Sequence, residues 1–302
     1  MSPQFGSGGS GGSGGASGAA NGGSGGAASG GAAGVPAGKV TVKAGAFDRH
    51  RCIVPFAFAG ATATIWVLRD DQGTSLPLQV SSDGTATFIL PELLASQELS
   101  YIIEAAPTPP AAGASSAQGA SDVTLKVGDA NVLRFQAQGE LPTGVAAVYL
   151  RGGYIHPLYS PAGVIVTGDY PASHVHHHGI WSAWTRSQFN GHAIDFWNMA
   201  DGQGKVDFEA LGQLWHGPVH SGFEAELAHI DLLGAEPVTA LSEHWRVTAY
   251  KTHEATAPYF TFDLASVQKA ATAMPVQLDE YIYGGFGIRG AGEWLDKAKV
   301  NF

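Results

Sequence analysis

TIWVLRDDQGTSLPLQVSSDGTATFIL, residues 64–90, is the stretch that decides the fold class. Thr64-Ile65-Trp66-Val67-Leu68 is apolar and stops at Arg69-Asp70-Asp71-Gln72-Gly73, where Asp and Gly favour a turn. Leu76, Leu78 and Val80 then alternate with Pro77 and Gln79, Ser82-Asp83-Gly84 turns the chain again, and Thr85 to Leu90 resumes. A period of two with turn signals about every ten residues reads as short strands of a β-sandwich.

Upstream, Val40-Thr41-Val42-Lys43 alternates in the same way, and downstream the pattern ends on Tyr101-Ile102-Ile103. Cys52 to Leu68 carries no charge, but Pro55, Gly60, Thr62 and Thr64 interrupt it, so two strands joined by a turn fit it better than a membrane helix of about 20 apolar residues. Pro91 to Glu98 is the best short helix pattern. These runs predict a small sandwich over residues 39–105.

Two uncharged stretches flank this unit. Residues 1–38 are dominated by Gly, Ser and Ala, and cannot bury enough apolar surface to offset their ordering entropy. They read as a flexible tail. Residues 106–121, with Pro107, Pro109 and Pro110, read as a linker. From Asp122 onward alternation returns: Val123, Leu125 and Val127; the run Gly163 to Thr167; Trp245, Val247 and Ala249; Phe260, Phe262 and Leu264. The expectation is an all-β protein: a small sandwich, then a larger antiparallel one over 122–302, with a galactose-mutarotase-like supersandwich as one form it could take.

Composition excludes several classes. The 302 residues carry a formal net charge of −10, with no basic stripe to neutralise the phosphates of a nucleic acid or an anionic membrane. The single cysteine, Cys52, allows no internal disulfide and says nothing of compartment. It begins an apolar run and reads as buried rather than reactive. Met1 to Phe5 shows neither the basic nor the apolar region of a signal peptide.

Chemistry concentrates in Ser173-His174-Val175-His176-His177-His178-Gly179-Ile180-Trp181; eleven of the twelve histidines lie between His156 and His253. Imidazole is the usual acid or base near neutral pH and the commonest metal ligand. On an extended chain His174, His176 and His178 share one face and His177 takes the other. A divalent metal could be held by two of them with a third ligand from His156, His216 or Asp195. The competing reading is a polar loop whose imidazoles bond to backbone and water. Trp181, Trp184, Trp197 in Asp195-Phe196-Trp197-Asn198, and Trp215 follow closely. Flat rings beside carboxylates, amides and histidines suit sugars, although each ring could equally be core. Two glycine patterns are decoys. Gly285 to Gly290 matches GxGxxG with no room for a βαβ unit after it, and Gly202-Gln203-Gly204-Lys205 lacks the phosphate-loop spacing.

Four blocks in order carry a family resemblance: Tyr154 to Gly163, Thr167-Gly168-Asp169-Tyr170-Pro171 through Trp181, Asp195 to Asn198, and Tyr283 to Gly290. They resemble the PmoA-like domain of unknown function, often labelled methane oxygenase. His178 stands where many relatives carry arginine, and Ser173 where an acidic residue is frequent. The family pattern continues beyond Phe302, which predicts an unpaired edge or partly exposed core near residues 285–302. The resemblance implies a second, larger sandwich and, by analogy with sandwich-type carbohydrate-active proteins, a sugar ligand.

Two functions follow as expectations. The first is a carbohydrate-acting hydrolase, lyase or epimerase-like enzyme. His174, His176 and His177 would be its acids or bases, Asp195 and Asp169 its partner carboxylates, and Trp181, Trp184, Trp197, Asn198 and Arg289 its substrate contacts. His156, His174, His176 and His216 are the metal-ligand candidates. The second is a non-catalytic glycan-binding protein on a flexible tether.

Overall fold

The computed structural model describes residues 36–59, 65–108, 113–254 and 258–296. The chain divides into two units, 1–33 and 34–302, and every described residue lies in the second. Positions 1–35 of the expected tail lie outside the described residues.

The N-terminal strands are β1 (Pro36–Lys43), β2 (Arg49–Ala57), β3 (Trp66–Arg69), β4 (Ser75–Val80), β5 (Thr85–Leu93) and β6 (Glu98–Ala105). They pair antiparallel in one six-stranded sheet of order β1-β6-β3-β4-β5-β2. The sheet folds over at β4, which pairs β3 at Leu76 and Leu78 and β5 at Gln79 and Val80. Phe88 of β5 consequently meets Tyr101 of β6 edge-on at 5.7 Å across the interior. The alternating Leu68, Leu78, Phe88, Leu90 and Ile103 fill the core, and Cys52 packs half-buried against it.

Two expectations are corrected here. The first described strand starts at Pro36, ahead of the expected Lys39. Pro91 to Glu98 is no helix but the end of β5, a turn, and the start of β6; Leu93 is buried in the core, which holds the segment extended. Cys52–Leu68 holds the end of β2 and the start of β3, two strands as expected; β2 pairs β5, and β3 pairs β4 and β6.

The expected linker is shorter than residues 106–121. Its second half is β7 (Ala114–Gln118), which pairs with β8 (Asp122–Val127), because Ala114 is buried in the second core and supplies a ladder partner. There follow β9 (Ala130–Gln136), β10 (Tyr154–Leu158), β11 (Ile180–Ala183), β12 (Ser187–Phe189), β13 (His192–Ile194), β14 (Gly204–Trp215), β15 (His220–Asp231), β16 (Val238–Tyr250), β17 (Thr261–Ala270), β18 (Gln277–Leu278) and β19 (Gly285–Ile288). One sheet runs β19-β11-β10-β9-β8-β7, a second β14-β15-β16-β17, and a small one β13-β12-β18. The run Gly163 to Thr167 is irregular, with only bridges at Ile165 and Thr167.

The two larger sheets face each other. Phe135 of β9 packs on Phe223 of β15 at 4.9 Å and on Trp245 of β16 at 6.0 Å. The protein is therefore all-β and sandwich-like, as the alternation requires. One polar group sits inside this second core: Glu243 is fully buried and accepts from His229 Nε2 (2.7 Å), Trp245 Nε1 (2.7 Å) and Ser266 Oγ (2.6 Å). Those bonds hold its carboxyl down at about 2 against the upward push of burial, so the charge is kept.

Two side chains of the N-terminal sheet lock the sandwiches together. Arg51 donates from Nη2 to the Lys251 carbonyl (2.8 Å) and from Nε to that of Thr252 (3.2 Å). Gln79 accepts from the Val219 and His220 N–H groups, each at 3.0 Å, and donates to the His220 carbonyl.

Candidate functional site

The connection from β10 to β11 carries the histidines at the end of the sheet that β19 borders. Three bonds pin it to the strand region beyond β19: Gly168 N–H to the Arg289 carbonyl (2.8 Å), Arg289 N–H to the Gly179 carbonyl (2.8 Å) and Ala291 N–H to the Val166 carbonyl (3.1 Å). The histidine stretch itself is closed by Tyr170 N–H to the His177 carbonyl (3.1 Å). Inside that closure His174 N–H bonds to the Pro171 carbonyl and His177 N–H to that of His174, each at 2.9 Å. The chain is thus turned, not extended. The expected division of His174, His176 and His178 from His177 is overturned: the turn stacks His174 on His177 at 4.8 Å and 22°.

His176 meets His177 edge-on at 4.6 Å, so His174, His176 and His177 form one imidazole cluster. His177 continues onto Trp181 (5.2 Å) and Trp197 (6.0 Å). Burial pushes its pKa down to about 4, helped by the neighbouring imidazoles and the Arg289 guanidinium. His176 is lowered by burial and by His174, while the Asp195 carboxylate pulls the other way. Both rings are neutral at pH 7.

His178 turns the opposite way and is fully buried. Its Nδ1–H donates to Asp169 Oδ1 at 2.6 Å, and the Tyr154 hydroxyl donates to Asp169 Oδ2 at 3.1 Å. The ring lies over Tyr154 at 4.4 Å and against the edge of Tyr170 at 4.7 Å. Its Nε2 has no hydrogen-bond partner among the described residues, as is also true of Trp181 Nε1 and Arg151 Nη1. Burial lowers the His178 pKa to about 4, against the pull of Asp169. Asp169 therefore fixes a buried imidazole and makes no hydrogen bond to His174, His176 or His177.

Asp195 sits in a turn after β13. Its Oδ1 accepts from the Trp197 N–H (2.7 Å) and Asn198 N–H (2.8 Å), and its Oδ2 from Asn198 Nδ2 (2.7 Å). Asn198 is thereby a strut of this turn.

The tryptophans are mostly core. Trp181 is 1% exposed and Trp197 6%, and Trp184 is half-buried with Nε1 bonded to Gln268 Oε1 at 2.8 Å. The exposed aromatic faces near this end are instead those of Tyr281 and Tyr283, 47% and 42% exposed and 4.9 Å apart. Tyr283 rests on Trp197 at 5.6 Å. Arg186 lies over Tyr281 at 5.9 Å, and these residues line a pocket of about 470 Å³ beside the cluster. The composition of 281–283 gave the signal, Tyr-Ile-Tyr before a glycine pair, but sequence reasoning passed over it. Arg289, half-buried, has no ion-pair partner for its guanidinium among the described residues.

The metal-ligand set does not assemble. His156 bonds through Nδ1 to Thr167 Oγ1 (2.9 Å), and His216 is exposed in the β14–β15 turn. Among the described residues no three His, Cys, Asp or Glu side chains are disposed to hold an ion. Four of the remaining histidines have structural partners: His192 with Asp231, His229 with Glu243, His244 with Glu226 and His220 with Trp215; the buried Nδ1 of His253 has no hydrogen-bond partner among the described residues.

Three glycines make this assembly sterically possible. A Cβ on Gly287 would stand 2.6 Å from Trp197 and 2.7 Å from Trp181, and one on Gly179 would stand 2.1 Å from the Ile155 carbonyl oxygen. Gly285, at φ +79°, carries the chain past Trp184. The four sequence blocks thus meet at one end of the second sandwich. The molecule is a sandwich-like all-β protein whose imidazole cluster packs on Trp197, against which the exposed Tyr283 also rests. Residues 122–302 match the profile of a family of unknown function, DUF6807, and the chain belongs to that family. No curated protein matches the chain.

Proposed function

We propose that the cleft at the histidine loop binds a carbohydrate and acts on it through imidazole acid–base chemistry. The single observation that carries the reading is the His177 imidazole packed on Trp197, the ring on which the exposed Tyr283 also rests, with the charge of Arg289, which has no ion-pair partner among the described residues, acting on that imidazole. An imidazole that is neutral at pH 7 offers a lone pair to a substrate proton. A guanidinium stabilises the negative charge that proton removal leaves behind. Exposed aromatic faces receive the C–H faces of sugar rings. Asp169 and Asp195 both spend their oxygens on fixed bonds, which favours imidazoles over a carboxylate pair and hence lyase- or epimerase-like proton transfer over hydrolysis.

The four motif blocks also support kinship with the PmoA-labelled proteins. The chemistry of that label forms no part of the proposal; no helix among the described residues is long and apolar enough to cross a membrane.

The test compares wild type with His177→Ala on a panel of plant and microbial polysaccharides, reading both retention and new product ends. The expected result is turnover by wild type and its loss by roughly 10²-fold or more in the variant, with retention kept. Retention without turnover in either protein favours a glycan-binding role. No retention of any polysaccharide overturns the carbohydrate reading.

A further inference from the structure

A second polar pocket, of about 390 Å³, lies where the N-terminal sheet meets the outer face of β15, β16 and β17. Its size falls within the roughly 300–1,000 Å³ of small-molecule sites, and junctions between domains are where such sites concentrate. Arg51 and Gln79 hold the junction closed on either side of it, so the walls are already in place.

The donors and acceptors are set by bonds behind the wall. His220 is 4% exposed; its Nδ1 accepts from Trp215 Nε1 at 3.0 Å, which leaves the ring proton on Nε2. Arg246 is stacked over the Trp215 indole at 4.4 Å and gives Nη1 to Glu224 at 2.6 Å, so its charge is already matched. Asp83 uses Oδ1 for the Thr85 N–H (2.8 Å), and Asp263 uses Oδ2 for the Tyr250 hydroxyl (2.9 Å). Each carboxylate keeps its second oxygen as an acceptor. The threonine hydroxyls of 87 and 248 complete a wall that both donates and accepts.

An anionic ligand meets two carboxylates here, and the one guanidinium is already paired. A ligand rich in hydroxyls satisfies both kinds of wall group at once. We infer that this junction pocket is a binding site for a neutral saccharide, built from both sandwiches and separate from the histidine loop. It supplies a second grip on an extended chain or a docking site for a free oligosaccharide. The inference does not rest on the activity of the histidine cleft.

The test is calorimetric titration with neutral gluco-, xylo- and galacto-oligosaccharides of a few units, and with oligogalacturonates of equal length. Wild type, the exposed double variant Asp83→Ala/Asp263→Ala, and His177→Ala are compared. The expected result is a binding event for a neutral oligosaccharide that His177→Ala keeps and the double variant weakens roughly tenfold or more. Equal binding in all three proteins, loss only with His177→Ala, preference for the oligogalacturonates, or no neutral binding at millimolar concentration each overturns it.

Discussion

At position 287 a hydrogen atom in place of a side chain lets two tryptophans cross the end of the second sandwich. Trp181 and Trp197 lie 4.8 Å apart there, and Tyr283 and His177 rest on them. Gly287→Ala therefore forces either ring aside. The expected cost is about 1–3 kcal/mol, typical of overpacking, measured by urea unfolding with an altered near-ultraviolet dichroism of the tryptophans. Unchanged stability and spectrum would mean that the rings do not meet over this residue. The same scale explains what the sequence concealed. Four histidines in five positions announced a site, but not that His178 turns inward to Asp169 while the other three turn outward. Asp169 and Asp195 were legible as carboxylates near a cluster; their engagement by Tyr154 and by backbone N–H groups depends on tertiary approach.

The elements were legible where one face is buried and the other is not. Trp245, Val247 and Ala249 are all fully buried on β16, as their alternation requires. Val123, Leu125 and Val127 on β8 do the same. The reading failed where long-range bonds override local preference. Pro91 to Glu98 has a helical composition, yet Arg49, His50 and Cys52 pair with Leu93, Glu92 and Leu90 and extend its first residues. Pro91 has no N–H for a ladder, and opposite it Arg51 adopts φ 50°, leaving the guanidinium to reach the Lys251 and Thr252 carbonyls. The linker was read too long because Ala-Ser-Ser-Ala-Gln carries no alternation of its own. It becomes β7 through a partner strand and the Ala114–Gly217 bridge. The histidine loop was read as extended because nothing local in it announces the turns that Pro171 and His174 accept into.

Across the whole molecule, buried neutral histidines make stability depend on acidity. His178 and His220 each have a folded pKa of about 4, chiefly because burial disfavours the charged ring. In the unfolded chain each takes up a proton below about pH 6.5. Between those values the unfolded state binds more protons, so stability is complete above pH 6.5 and is lost as pH falls toward 4. Two such residues make the protein about 2 kcal/mol per histidine less stable at pH 5 than at pH 7. Urea unfolding at the two pH values measures the difference, and a flat profile over that window contradicts the burial of these rings. Glu243, held down at about 2, contributes stability that disappears only at more acidic pH.

The central claim is that His174, His176 and His177 form one ligand-facing cluster beside Tyr281 and Tyr283. The most direct measurement follows the imidazole ring signals by long-range proton–nitrogen nuclear magnetic resonance while an oligosaccharide retained by the protein is added. The account predicts that the three clustered rings move together on binding, that those of His192 and His244 stay still, and that His177 titrates far below the ordinary pH 6.5. Clustered rings that stay still while saccharide binds, together with a His177 that titrates as an ordinary exposed histidine, would contradict it.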